Sequence, residues 1–73
     1  MDQLIINNIK QYVFDNNISI MKLSEASKIP YHRLWLILNR NAKVSVGDYV
    51  AICLAFNEPL EFFIPNLNVK PIQ

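Results

Sequence analysis

Lys28, His32, Arg33, Arg40 and Lys43 fall in one stretch, and no acidic residue occurs between Glu25 and Asp48. The acids sit toward the ends, at Asp2, Asp15, Glu58 and Glu61, so a chain of net charge +1 has a basic middle. Guanidinium and ammonium groups clustered in this way suit phosphate oxygens. An arginine can also pair bidentately with a guanine edge. Other chemistry finds little material. His32 is the only histidine and has no carboxylate near it in sequence; the single cysteine, Cys53, excludes an intrachain disulfide or a cysteine-based metal site. The lone glycine excludes a glycine-rich phosphate cradle. Glu58 and Glu61 are spaced i, i+3, but they flank an expected helix start, where acids favour the dipole. The expectation is a non-enzyme with no cofactor and no metal.

The elements that must carry the basic stretch are helical. A chain of 73 residues is one domain, and its 52% hydrophobic content, its scarcity of glycine and threonine, and its many Leu, Ile, Ala and Asn favour helices. Ile5, Ile9, Tyr12 and Val13 form a helical stripe over Asp2 to Phe14, stopped by Asp15-Asn16-Asn17. Ser19 caps a second helix over Ile20 to Ser27, with Leu23 as its core residue. Pro30 opens a third, which runs to Leu38 or Asn39 with Leu34 and Ile37 inward. Ser45 and Asp48 have capping-box spacing, with Val44 and Tyr49 as a hydrophobic staple, so a fourth helix follows. It buries Tyr49, Ile52, Cys53 and Phe56, and stops at Asn57. Pro59 is expected to open a short fifth helix carrying Leu60, Phe63 and Ile64, ended by Pro65. Residues 1–65 then form the domain, and Asn66 to Gln73 an extended tail.

The longest apolar run, Tyr49 to Phe56, is far shorter than the roughly 18 residues of a membrane span. The start of the chain has no basic segment of the signal-peptide kind. A soluble protein of the cytoplasm, without a membrane partner, is the expectation.

From Ile18 to Phe63 the order of cap and core positions resembles the Cro/CI phage-repressor family of helix-turn-helix domains. The positions that carry the resemblance are Ser19, Leu23, Ile29, Leu34, Ile37, Ser45, Tyr49, Ile52, Ala55, Phe56, Leu60 and Phe63. It implies an all-α, five-helix, lambda-repressor-like fold that presents helix 3 to a DNA major groove. Carried over by position, base readers are Tyr31, His32, Arg33 and Leu36. Phosphate contacts fall at Ser19 and Ile20, and at Arg40 and Lys43. The implied activity is a transcription regulator of a phage switch, binding a duplex operator.

The chain departs from that pattern in ways that carry their own expectation. Ile20 replaces the frequent glutamine, and Lys28 stands where the turn has glycine and φ > 0 is wanted. Pro30 replaces the helix-3 cap. Leu36 and Trp35 put apolar bulk on the face meant for polar base edges, although leucine can touch a thymine methyl. Trp35 either joins that face or packs back on the core, and Tyr31 either joins it or covers the helix end. Apolar and aromatic residues beside arginine are what protein–protein hot spots use. In size and reading helix the chain is similar to the modulator-of-repression and antirepressor proteins of temperate phages. That resemblance implies an alternative in which Ile20, Tyr31, Trp35 and Leu36, rimmed by Arg33 and Arg40, bind a partner repressor. For self-association the expected surface is Phe62, Ile64 and Pro65.

Overall fold

The computed structural model describes residues 2–64. The fold is all-helical, with four helices in the order α1 (Gln3–Asp15), α2 (Ile20–Ser27), α3 (Tyr31–Arg40) and α4 (Val46–Phe56), and no strand among the described residues. Local chemistry sets each boundary. The Asp2 carboxylate accepts the Leu4 amide and starts α1. Ser19 Oγ accepts the Lys22 amide at 3.1 Å and starts α2. At α4 both halves of the capping box are made: Ser45 Oγ accepts the Asp48 amide, and Asp48 accepts the Ser45 amide. Each such cap satisfies amides that the helix itself leaves without partners.

The ends use left-handed residues, and in a chain with one glycine these are mostly asparagines. Asn17, Asn41 and Asn57 have φ of 52°, 53° and 58°, the conformation that asparagine tolerates better than most residues. Lys28, at φ 65°, closes α2 in the same way and is the one lysine among them. The position read from sequence as wanting positive φ therefore has it.

α2 packs against both α3 and α4. The core joins Ile6 and Ile9 of α1, Leu23 of α2, Leu34 and Ile37 of α3, and Ile52 and Cys53 of α4, with Ile29, Val44, Tyr49 and Phe63 around them. Burial pushes the Cys53 thiol above its ordinary pKa, so it is a packed apolar group. Val44 and Tyr49 are both buried, as the staple requires.

The expected fifth helix is absent from the described residues. After Asn57 the chain makes two successive turns, with Phe62 N donating to Pro59 O at 3.0 Å and Ile64 N to Glu61 O at 3.2 Å. Ile64 precedes Pro65, a position that disfavours helical backbone, so the second turn has no room to become a helix. Long-range contacts hold the segment instead. Phe63 is buried with its ring edge-on to Tyr12, Tyr49 and Phe56, and its carbonyl accepts from Asn8 Nδ2 at 3.0 Å. The Tyr49 hydroxyl donates to the Leu60 carbonyl, and burial pushes that phenol up to about 12. Pro65 and the expected tail, residues 66–73, lie outside the described residues.

Candidate nucleic-acid interface

Three residues, Lys28-Ile29-Pro30, connect α2 to α3, and side chains of α2 fix their path. Ser24 Oγ donates to Ile29 O at 2.6 Å, and the Ile29 amide donates to Ser27 Oγ at 3.2 Å. The Lys28 amide returns to Ser24 O at 2.9 Å. Both backbone groups of Ile29 are thus satisfied while its side chain is buried. A short turn with its polar groups paired to one helix and its side chain in the core holds α3 in a fixed relation to α2.

On α3, Leu34 and Ile37 face the core. His32, Trp35, Leu36 and Asn39, spaced i, i+3, i+4, i+7, share the opposite side. His32 and Asn39 are exposed, and Trp35 and Leu36 are half-buried. Neither Trp35 nor Leu36 belongs to the half-buried apolar side chains packed on the core. Trp35 is covered from its own helix and its end: the His32 ring lies parallel to the indole at 6.4 Å, and the Arg40 guanidinium is 5.5 Å from the ring centroid. That is the geometry of a cation held on an aromatic face. Tyr31, at the first position of α3, is 50% exposed.

Other expected site residues are placed differently. Ile20, the first residue of α2, is half-buried and packs on the core, so its side chain is a packing group. Ser19 is exposed, but its hydroxyl oxygen is engaged as the helix cap. Arg33 is turned toward α4. Its Nη2 donates to Asp48 Oδ2 and, at 3.2 Å, to the Lys43 carbonyl. The Arg33 guanidinium holds the Asp48 carboxyl below its usual range, helped by the Ser45 bonds against the opposing effect of burial. This is the one salt bridge among the described residues. Lys22, Lys28, Arg40 and Lys43 are exposed and have no carboxylate partner there.

Asn39 was not singled out from sequence. It closes the outer stripe seven residues after His32, and its Nδ2 donates to Trp35 O at 3.1 Å, which leaves the amide oxygen and one N–H for a ligand. The i+7 spacing from His32 was the signal.

The residues expected to carry self-association are split. Phe62 is 47% exposed, yet it lies edge-on against Tyr12 and Phe63. Ile64 is half-buried, and Pro65 is outside the described residues.

Among the described residues no group of three or more His, Cys, Asp or Glu side chains is placed to hold a metal ion. No described helix is long and apolar enough to cross a membrane. Comparison with protein-family models, with curated proteins and with solved structures gives no match.

Proposed function

We propose that the chain is a small helix-turn-helix transcription regulator that binds duplex DNA through α3, in the manner of the phage-repressor family its sequence resembles. The observation that carries this reading is the serine-fastened turn. It sets α3 rigidly on α2, with an outward stripe of His32, Trp35, Leu36 and Asn39 beside exposed cations that no described carboxylate neutralises. In this reading Tyr31, His32 and Asn39 offer polar groups to base edges, and Leu36 meets a thymine methyl. Arg40, Lys43 and Lys28 take phosphates, as does the amide-bearing start of α2 at Ser19 and Ile20. Arg33 positions α3 against α4 and does not read a base.

Titration of a duplex with the chain, followed by the fluorescence of Trp35, its only tryptophan, tests the reading. The expected result is saturable binding that weakens with salt, at a slope near −0.9 for each phosphate neutralised, hence about −3 for three or four contacts. No binding at low salt contradicts it.

A second reading keeps the face and changes the partner. It is favoured by Trp35 and Leu36, which are apolar and off the core, and by Arg33, whose guanidinium is already engaged. Here Tyr31, Trp35 and Leu36 are the centre and Arg40 the rim of a contact with another helix-turn-helix repressor, whose DNA face is blocked. This reading expects a stable heteromer on size exclusion with the repressor encoded beside it, lost in Trp35→Ala. If no complex forms, it fails.

A further inference from the structure

Each base offers a different edge in the major groove, and different side chains read it. Guanine presents two acceptors and calls for the paired donors of arginine or lysine, whereas cytosine presents a donor and calls for a carboxylate. Adenine presents a donor beside an acceptor, which suits an asparagine or glutamine amide. Thymine presents a methyl group to apolar side chains.

The outer stripe of α3 lacks the readers of guanine and cytosine. Arg33 is committed to Asp48 and to the Lys43 carbonyl. Arg40, the last residue of α3, holds its guanidinium 5.5 Å from the Trp35 ring centroid. Lys28 and Lys43 stand before and after the helix. No acidic residue occurs between Glu25 and Asp48, so α3 has none.

Asn39 is left with the adenine pattern. Its Nδ2 donates to Trp35 O at 3.1 Å. A carbonyl oxygen only accepts, so the amide nitrogen must face it and the group cannot be turned over. One N–H and the amide oxygen remain, a single donor beside an acceptor. They complement N7 and the N6 amino group of adenine. Against guanine the amide oxygen would face O6, another acceptor.

Leu36 supplies the thymine pattern beside it. It lies three residues before Asn39, a spacing that puts helical side chains about 5–6 Å apart. That is one or two base steps of about 3.4 Å. Leu36 is half-buried and is not among the side chains packed on the core, so its apolar surface is open next to the amide.

We propose that, within the DNA-binding reading on which this rests, the outward face of α3 specifies A·T pairs and no guanine. Asn39 reads an adenine, and Leu36 meets the methyl of a thymine one or two base pairs away.

The probe is the tightest duplex that the full chain selects from a random-sequence pool, resynthesised with single atoms or groups removed. 7-Deazaadenine, which lacks N7, replaces each adenine in turn, and uracil, which lacks the methyl, replaces each thymine. Binding is read by fluorescence anisotropy of the labelled duplex at low salt, where phosphate contacts keep weakened variants measurable. At one adenine, 7-deazaadenine is expected to weaken wild-type binding about fivefold. The same replacement should leave Asn39→Ala, with wild-type helicity, no weaker than on the natural duplex. At a thymine within two pairs of that adenine, uracil should weaken the wild type about fourfold. Leu36→Ala, also with wild-type helicity, should not respond to it. Replacements that weaken each variant as much as the wild type overturn the base assignment and leave DNA binding standing. So does a specified guanine whose preference is lost in Arg40→Ala. A chain that selects no duplex overturns the assignment and the DNA-binding reading together.

Discussion

Arg33 and the N-terminus of α4 meet on a single oxygen: Asp48 Oδ2 accepts the Arg33 guanidinium and, at 3.0 Å, the Ser45 amide. The capping box that starts α4 is therefore also the clamp that ties α3 to it. An arginine on the third helix of a basic segment invites a role against DNA. Here it is the residue that fixes the angle at which that helix is offered.

Asp48→Ala removes the box and the clamp together, so it is expected to cost about 1 kcal/mol of stability at neutral pH. The Asp48 carboxyl titrates below its unfolded value of roughly 3.9. Its contribution is thus fully present above that value and is lost as pH falls through the lower, folded one. Urea unfolding at neutral pH and below about pH 3 should show the gap between wild type and variant closing in acid. A gap of equal size at both values would deny the carboxylate this role.

Lys28 holds φ 65° at the end of α2, a conformation that costs a non-glycine residue about 1 kcal/mol. Lys28→Gly is expected to raise stability by roughly 0.5–1 kcal/mol, the greater freedom of glycine in the unfolded chain offsetting part of the gain. The same change removes an exposed cation beside α3. DNA affinity at low salt should fall, and the salt slope should lose about one unit if Lys28 meets a phosphate. A variant that is more stable and binds less tightly separates the two roles; an unchanged urea midpoint would refute the first.

Phe63 fills the space between α1 and α4, where it meets Tyr12, Tyr49, Phe56 and Phe62. Phe63→Ala should cost about 3–5 kcal/mol. For a domain of this size, with total stability of order 5 kcal/mol, that removes most of the cooperative unfolding transition. Phe62→Ala, at a half-exposed site, should cost about 1 kcal/mol or less. Thermal melts of the two variants, followed by circular dichroism, distinguish a plug from a surface ring. Equal losses would mean that the two aromatics share the load.

What the sequence made legible was mostly local. Ser19, Ser45 with Asp48, Pro30 and the asparagines act within a few residues of themselves, and the bounds of α2, α3 and α4 follow from them. The fifth helix was expected because Pro59 is a valid local start. It is replaced by turns whose form depends on Phe63, on the Tyr49–Leu60 bond and on Asn8, partners 11 and 55 residues away for the two hydrogen bonds. Arg33 was read as outward for the same reason, since its partner lies 15 residues along the chain. Ile6 was missed in α1 because the stripe there is broad, and either of two adjacent isoleucines fits its spacing.

The most direct measurement of the central claim is selection of duplexes from a random-sequence pool by the full chain, at low salt and again at physiological salt. One short motif should be enriched, repeated as two half-sites about 10 base pairs apart if the chain binds as a dimer. Enrichment should be lost when Arg40 and Lys43 are both replaced by alanine, with helicity unchanged. A pool that stays random at both salt concentrations, or a motif that the double variant enriches as well as the wild type, would contradict it.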